Sequence, residues 1–142
     1  SASTDLIRGI AVVNMVVVGI VFSVLLRDVD MGYLLPWVNT VLHYIMPIAV
    51  VLEWLFQPPR TELGISHVLL SQVFPLFYLV YVLARGAIVG WYPYPFLNPA
   101  NVGGYGGVAA YVIGIMVVFV VAAGSLFTLG NKLNRSIKVV AR

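Results

Sequence analysis

An all-α, polytopic membrane helix bundle is the fold class this sequence predicts, and three observations predict it. Of the 142 residues, 61% are hydrophobic and only 9% are charged, against about 25% charged in soluble domains. A chain with eight basic and five acidic side chains and a mean hydropathy of +1.01 cannot cover a water-facing surface, so its solvent is lipid. The charges are spaced to leave four apolar gaps, each close to the roughly 20 residues that one bilayer crossing needs. The alternating pattern of a transmembrane barrel strand is missing, as are internal repeats and low-complexity linkers. Residues 1–142 therefore read as a single integral membrane domain.

The first span covers about 6–26, with Asn14 in its middle. The chain lacks an initiating Met, so 1–5 reads either as a processed start or as part of something longer. The second span covers about 34–56. Trp37 and Trp54 bracket it at a spacing of about 26 Å along a helix, near the hydrocarbon thickness, and read as two interfacial belts. The third span covers about 65–84 and contains Pro75. The fourth covers about 108–129. Before and within it Gly106, Ala110 and Gly114 recur every four residues, as a close-packing seam would have them. A basic tail, 131–142, follows. Its Leu133, Ile137 and Val140 share one helical face, which fits either an amphipathic surface helix or a simple topology anchor.

Orientation follows from Lys and Arg. Arg8, Arg60, Lys132, Arg135, Lys138 and Arg142 fall on one side, and only Arg27 and Arg85 on the other. The positive-inside rule then puts both termini in the cytoplasm, with Asp28, Asp30 and 85–107 outside. The pI near 9.4 belongs to lipid headgroups on this reading and not to nucleic acid. With no cysteine, disulfide scaffolds, zinc fingers and Cys nucleophiles are excluded.

Polar side chains inside lipid cost a few kcal/mol unless they face protein or water, which makes them the functional candidates. Asn39, His43 and Glu53 fall within an arc of about 80° on the second span. Pro47 cannot donate to the His43 carbonyl and is expected to kink the helix there. His43 reads either as a general base, oriented by Asn39 or by a carbonyl, or as an interhelical hydrogen-bonding residue. Glu53, near the cytoplasmic end, reads as an interfacial or structural acid. On the third span Ser71, Tyr78 and Arg85 are seven apart, with Tyr81 close to the same stripe. Arg85 is placed either to hold a carboxylate or phosphate or to snorkel. Asn14 reads as a cross-helix hydrogen-bonding residue. The aromatic run Trp91-Tyr92-Pro93-Tyr94-Pro95-Phe96 reads as a lid over an acyl pocket or as an interfacial anchor.

Familiar catalytic signatures are absent. There is no G-x-S-x-G, no H-E-x-x-H and no dinucleotide fingerprint. The two histidines, His43 and His67, are expected on opposite sides of the membrane. No metal and no cofactor is expected, and the partners expected are membrane lipids and other membrane subunits.

A set of words in fixed order resembles one family. They are Trp37-Val38-Asn39-Thr40-Val41-Leu42-His43-Tyr44-Ile45-Met46-Pro47, Glu53-Trp54, residues 75–81, and residues 85–97. Arg8-Gly9 and Leu25-Leu26-Arg27 look like its short bacterial members. It is the androgen-induced membrane-protein family, whose animal members hydrolyse fatty acid esters of hydroxy fatty acids. The resemblance implies a six-helix protein of the bacterial plasma membrane acting on lipid esters without metal, through a threonine nucleophile and a histidine. The family's histidine matches His43, with Asn39 orienting it. Arg85, Tyr78, Tyr81, Trp91, Tyr92 and Tyr94 are then the substrate-binding candidates. The four spans look like the last four of six, and the threonine belongs to an earlier helix. Thr40 is not the family position. The other reading is a non-enzymatic accessory subunit of a larger membrane complex, docking through the Gly and Ala seam and the aromatic run.

Overall fold

The structure is a computed structural model that describes residues 1–29 and 35–140. Asp30, Leu34 and Arg142, which enter the expectations above, lie outside the described residues. Among the described residues four helices are long and apolar enough to cross a bilayer: α1 (Ala2–Leu26), α2 (Pro36–Phe56), α3 (Ile65–Val89) and α4 (Tyr105–Val140). The described residues contain no strand. In lipid a backbone must satisfy its own polar groups, and helices do so within each span.

Local signals set the ends. Ser1 caps α1, its hydroxyl accepting the Thr4 N–H at 3.3 Å, and Asp5 sits in the first turn. The Gly64 N–H donates to Nδ1 of His67 at 3.0 Å, so the second histidine caps α3. Gly90 ends α3 in the left-handed region, at φ 70°. One helix, α4, is 36 residues long, about 54 Å against a hydrocarbon core of about 30 Å. As far as Val140 the basic tail is thus a continuation of α4 and not a separate surface helix. It is held by the 57–64 loop: Asn131 exchanges two 3.0 Å hydrogen bonds with the Leu63 main chain, Asn134 donates to the Arg60 carbonyl, and Arg135 pairs with Glu62 at 2.8 Å.

Successive helices run antiparallel, with α1 packed on both α2 and α4. Toward the end carrying both termini the core is Val12, Val13, Val17, Trp54, Leu63, Val68, Phe119, Ala122, Ala123 and Phe127. At the opposite end Phe22 and Leu26 meet Val82, Phe96, Leu97 and Val108. Lipid tails are as apolar as leucine, so these helices associate by close packing, which small residues allow. A Cβ on Gly19 would lie 3.0 Å from the Pro47 ring, and one on Gly130 would lie 2.8 Å from Pro59. The seam expected at Gly106, Ala110 and Gly114 is not part of this packing. A Cβ at Gly106 or Gly114 meets nothing within 4 Å, because that face of α4 points outward. Trp54 is likewise no belt residue. It is fully buried and donates from Nε1 to the Leu126 carbonyl at 3.0 Å, whereas Trp37 is 67% exposed.

Glu53 is a structural acid. It takes the Arg8 guanidinium at 2.6 Å, and Arg8 also donates to the Gln57 carbonyl and lies over the Trp54 ring. Beside it Asp5, 5% exposed, accepts the Arg60 N–H, the Thr61 N–H and the Thr61 hydroxyl, all within 3.0 Å. Asp5→Ala strands two backbone donors at once. It is expected to lower stability by about 3 kcal/mol, read as a lower midpoint in SDS or thermal unfolding of the detergent-solubilised protein.

Candidate functional site

Pro47 starts the site. Its missing N–H leaves the His43 carbonyl without its helical donor, and the preceding residues Val41–Ile45 form a π turn that closes with the Met46 N–H on the Val41 carbonyl. The expected kink thus takes the form of a π bulge, a feature frequent at functional sites. Across from it α1 ends in a second π turn, Phe22–Leu26. The two turns meet ring to ring. The His43 imidazole stacks on Phe22 at 4.0 Å between centroids with 15° between planes, and Tyr44 meets Phe22 edge-on.

His43 Nδ1 lies 3.0 Å from the Asn39 carbonyl oxygen. A carbonyl only accepts, so in the neutral ring Nδ1 carries the proton and Nε2 is the bare base. Asn39 orients the ring through its main chain. Its side-chain Oδ1 is buried and has no hydrogen-bond partner among the described residues.

His43 forms part of the wall of a cavity of about 310 Å³ between α1, α3 and α4, at the small end of ligand sites. The cavity exists because the Ile65–Ser71 half of α3 lies close against α4 while the Val73–Val89 half stands off, the two halves being offset at Gln72. It runs from Asn14 to Leu26 along α1, about 18 Å. Val17, Val21, Phe74, Leu79, Val112, Ile115, Met116 and Phe119 line it, together with Leu26, Phe96 and Leu97 at its outer end. Its polar side chains are Asn14, His43, Tyr78 and Tyr94. Asn14 makes no cross-helix bond among the described residues: its amide nitrogen donates to the Ile10 carbonyl of its own helix at 2.8 Å.

The substrate-binding candidates separate into two groups. Tyr78 and Tyr94 line the cavity. Burial, and next the neighbouring Tyr78 hydroxyl, push the Tyr94 phenol up to about 12, so it remains an O–H donor at neutral pH. Tyr94 also stacks on Phe96, whose side chain is buried, so this part of the aromatic run folds inward. Arg85, Tyr81 and Trp91 are exposed and lie outside the cavity lining, and the Arg85 guanidinium rests 5.0 Å over the Trp91 ring. Tyr92 packs on Gly86, where any Cβ would strike its ring. Ser71 is wholly buried and donates to the Val68 carbonyl, so the stripe of Ser71, Tyr78 and Arg85 does not act as one surface.

The serine and threonine hydroxyls near the imidazole in sequence or on the facing turn are engaged with backbone. Thr40 donates to the Pro36 carbonyl at 3.0 Å and Ser23 to the Gly19 carbonyl at 2.7 Å. Among the described residues no group of three or more His, Cys, Asp or Glu side chains is arranged to hold a metal ion. Phe22 escaped the sequence reading, since one more apolar residue in an apolar run carries no signal. A family model described as FAR-17a/AIG1-like protein matches residues 17–134. No curated protein and no solved structure matches the chain.

Proposed function

From a chain that belongs to the FAR-17a/AIG1-like family and sets one oriented imidazole in the wall of an apolar cavity, we propose a membrane-embedded, metal-independent hydrolase of lipid esters. The observation that carries this reading is the pairing of a long apolar slot with a histidine whose Nε2 is free to accept a proton. An acyl chain lies along Phe74, Val112 and Met116, and its ester reaches His43. Nε2 takes a proton from water as the water oxygen adds to the ester carbon, and returns that proton to the departing alkoxide as the C–O bond breaks. With water as the net reactant, one acid and one alcohol leave. The Tyr78 and Tyr94 hydroxyls supply donors to the ester or to a substrate hydroxyl. Arg85 and Trp91, on the outer surface, meet the carboxylate or headgroup of an arriving lipid. Both termini face the cytoplasm of a bacterial plasma membrane, in keeping with the basic excess at that end.

The test is release of free fatty acid from a branched fatty ester by protein reconstituted in nanodiscs, followed by mass spectrometry. Val112→Trp fills the slot while leaving His43 unchanged in sequence and is expected to lower kcat/KM by about tenfold or more. Equal turnover by Val112→Trp and wild type would refute the assignment of the slot.

A second reading, an accessory subunit, rests on the outward groove of Ile20, Val24, Ala110 and Gly114. The open Cβ position at Gly114 suits a close-packed helix from another chain. A lone monomer in gentle detergent would count against it.

A further inference from the structure

On the face of α4 turned away from the cavity, five residues follow one another in a single stripe: Val117, Val121, Ser125, Thr128 and Lys132. Their spacings of four, four, three and four keep all five within about 80° on the helix wheel. All five are exposed. A notch of about 400 Å³ is cut into the stripe at Gly124, Ser125, Thr128, Leu129 and Lys132, with nothing within 4 Å of where a Gly124 Cβ would be.

Two details set this notch apart from an ordinary helix surface. Ser23, Thr40 and Ser136 all turn their hydroxyls onto a carbonyl four residues back, as serine and threonine in spans commonly do. The Ser125 and Thr128 hydroxyls make no such bond among the described residues. Basic side chains of the tail differ in the same way. Arg135 is paired with Glu62 and Lys138 reaches the Arg60 carbonyl, whereas the Lys132 side chain makes no hydrogen bond or ion pair among the described residues and projects about 60° around the helix from Arg135 and about 120° from Lys138.

Depth is fixed independently. Next to Lys132 in the chain, Asn131 binds the Leu63 main chain, and Gly130 packs on Pro59 and Trp54. Lys132 therefore sits level with the α2–α3 loop, where hydrocarbon gives way to water. Along the stripe the order from the membrane interior outward is apolar, hydroxyl, cation. A phospholipid presents acyl chain, ester carbonyls and phosphate in the same order.

We propose that this stripe is a binding site for one anionic phospholipid of the leaflet on the side of the two termini. The phosphate meets Lys132, the ester carbonyls accept from Thr128 and Ser125, and an acyl chain follows Val121 and Val117. A net negative headgroup is preferred because Lys132 has no acidic partner there. The site is distinct from the His43 cavity, and the inference does not depend on the hydrolase reading.

The test is native mass spectrometry of the full chain released from nanodiscs containing equal phosphatidylglycerol and phosphatidylcholine. Wild type is expected to retain phosphatidylglycerol over phosphatidylcholine by about fivefold, the weight of about one basic residue at an anionic surface. Lys132→Gln brings the ratio to near one. The double change Ser125→Ala with Thr128→Ala lowers retention at unchanged charge, and Lys138→Gln leaves it alone. The Lys132, Ser125 and Thr128 side chains make no hydrogen bond among the described residues, and Lys138→Gln gives up one exposed 3.4 Å contact with the Arg60 carbonyl, so the variants fold. Equal retention of both lipids by wild type overturns the site, as does a Lys138→Gln loss as large as that of Lys132→Gln. Displacement of bound lipid by millimolar inorganic phosphate overturns the choice of a lipid over a free anion.

Discussion

His43→Ala is expected to lower ester hydrolysis by about 10²- to 10⁴-fold, the usual weight of a positioned general base, with KM little changed. The geometry behind this is short. Nδ1 is tied to the Asn39 carbonyl, the ring is clamped flat on Phe22, and Nε2 is left as the basic atom. Because the ring also packs, a second variant separates chemistry from stability. His43→Phe keeps an aromatic stack on Phe22 and removes the base, so it should lose activity while retaining the wild-type unfolding midpoint. Added imidazole should restore part of the activity of His43→Ala but none of that of His43→Phe. Asn39→Leu is a useful contrast. Since orientation comes from the main chain, it should reduce turnover far less than either change at His43.

Trp54→Ala should cost about 3 kcal/mol of stability, at the lower edge of the range for large aromatics in protein cores. In lipid the transfer part of that cost is small, because the unpacked helix also rests in an apolar medium. What remains is the void left in a fully buried position and the loss of the Nε1 bond to the Leu126 carbonyl. Arg8 loses the ring it lies over, and Gly130 and Phe127 lose their neighbour. Trp37→Ala removes a residue of the same type from an exposed position and should leave the midpoint nearly unchanged. SDS titration followed by circular dichroism reads both.

The contrast between the two tryptophans shows what the sequence could and could not convey. Charges are rare in this chain, and each marks water, so the number and limits of the crossings could be counted. The faces of those crossings could not. In a soluble helix the apolar stripe marks the buried side, but α1 to α4 are apolar on every side, and the periodic signal vanishes. Trp54 and Trp37 therefore looked equivalent, and Gly106 to Gly114 looked like the seam although Gly19 and Gly130 make the close approaches. Polar residues escaped this ambiguity, because lipid makes them costly wherever they are not sheltered. That is why Asn14, His43, Tyr78 and Tyr94 could be singled out in advance, while Phe22, which fixes the imidazole plane, could not. Pro47 announced a broken hydrogen bond. Only the backbone shows that the break takes the form of a π turn facing a second one.

The most direct test of the central claim, that the cavity beside His43 takes a lipid acyl chain, is photolabelling in nanodiscs with a fatty ester carrying a diazirine near the end of its tail. Adducts would be mapped by peptide mass spectrometry. Labelling concentrated on Phe74, Tyr78, Val112 and Met116, and abolished by Val112→Trp, is the result the cavity predicts. Labelling spread evenly over the outward residues Ile113, Val117, Val120 and Val121, and indifferent to Val112→Trp, would contradict it.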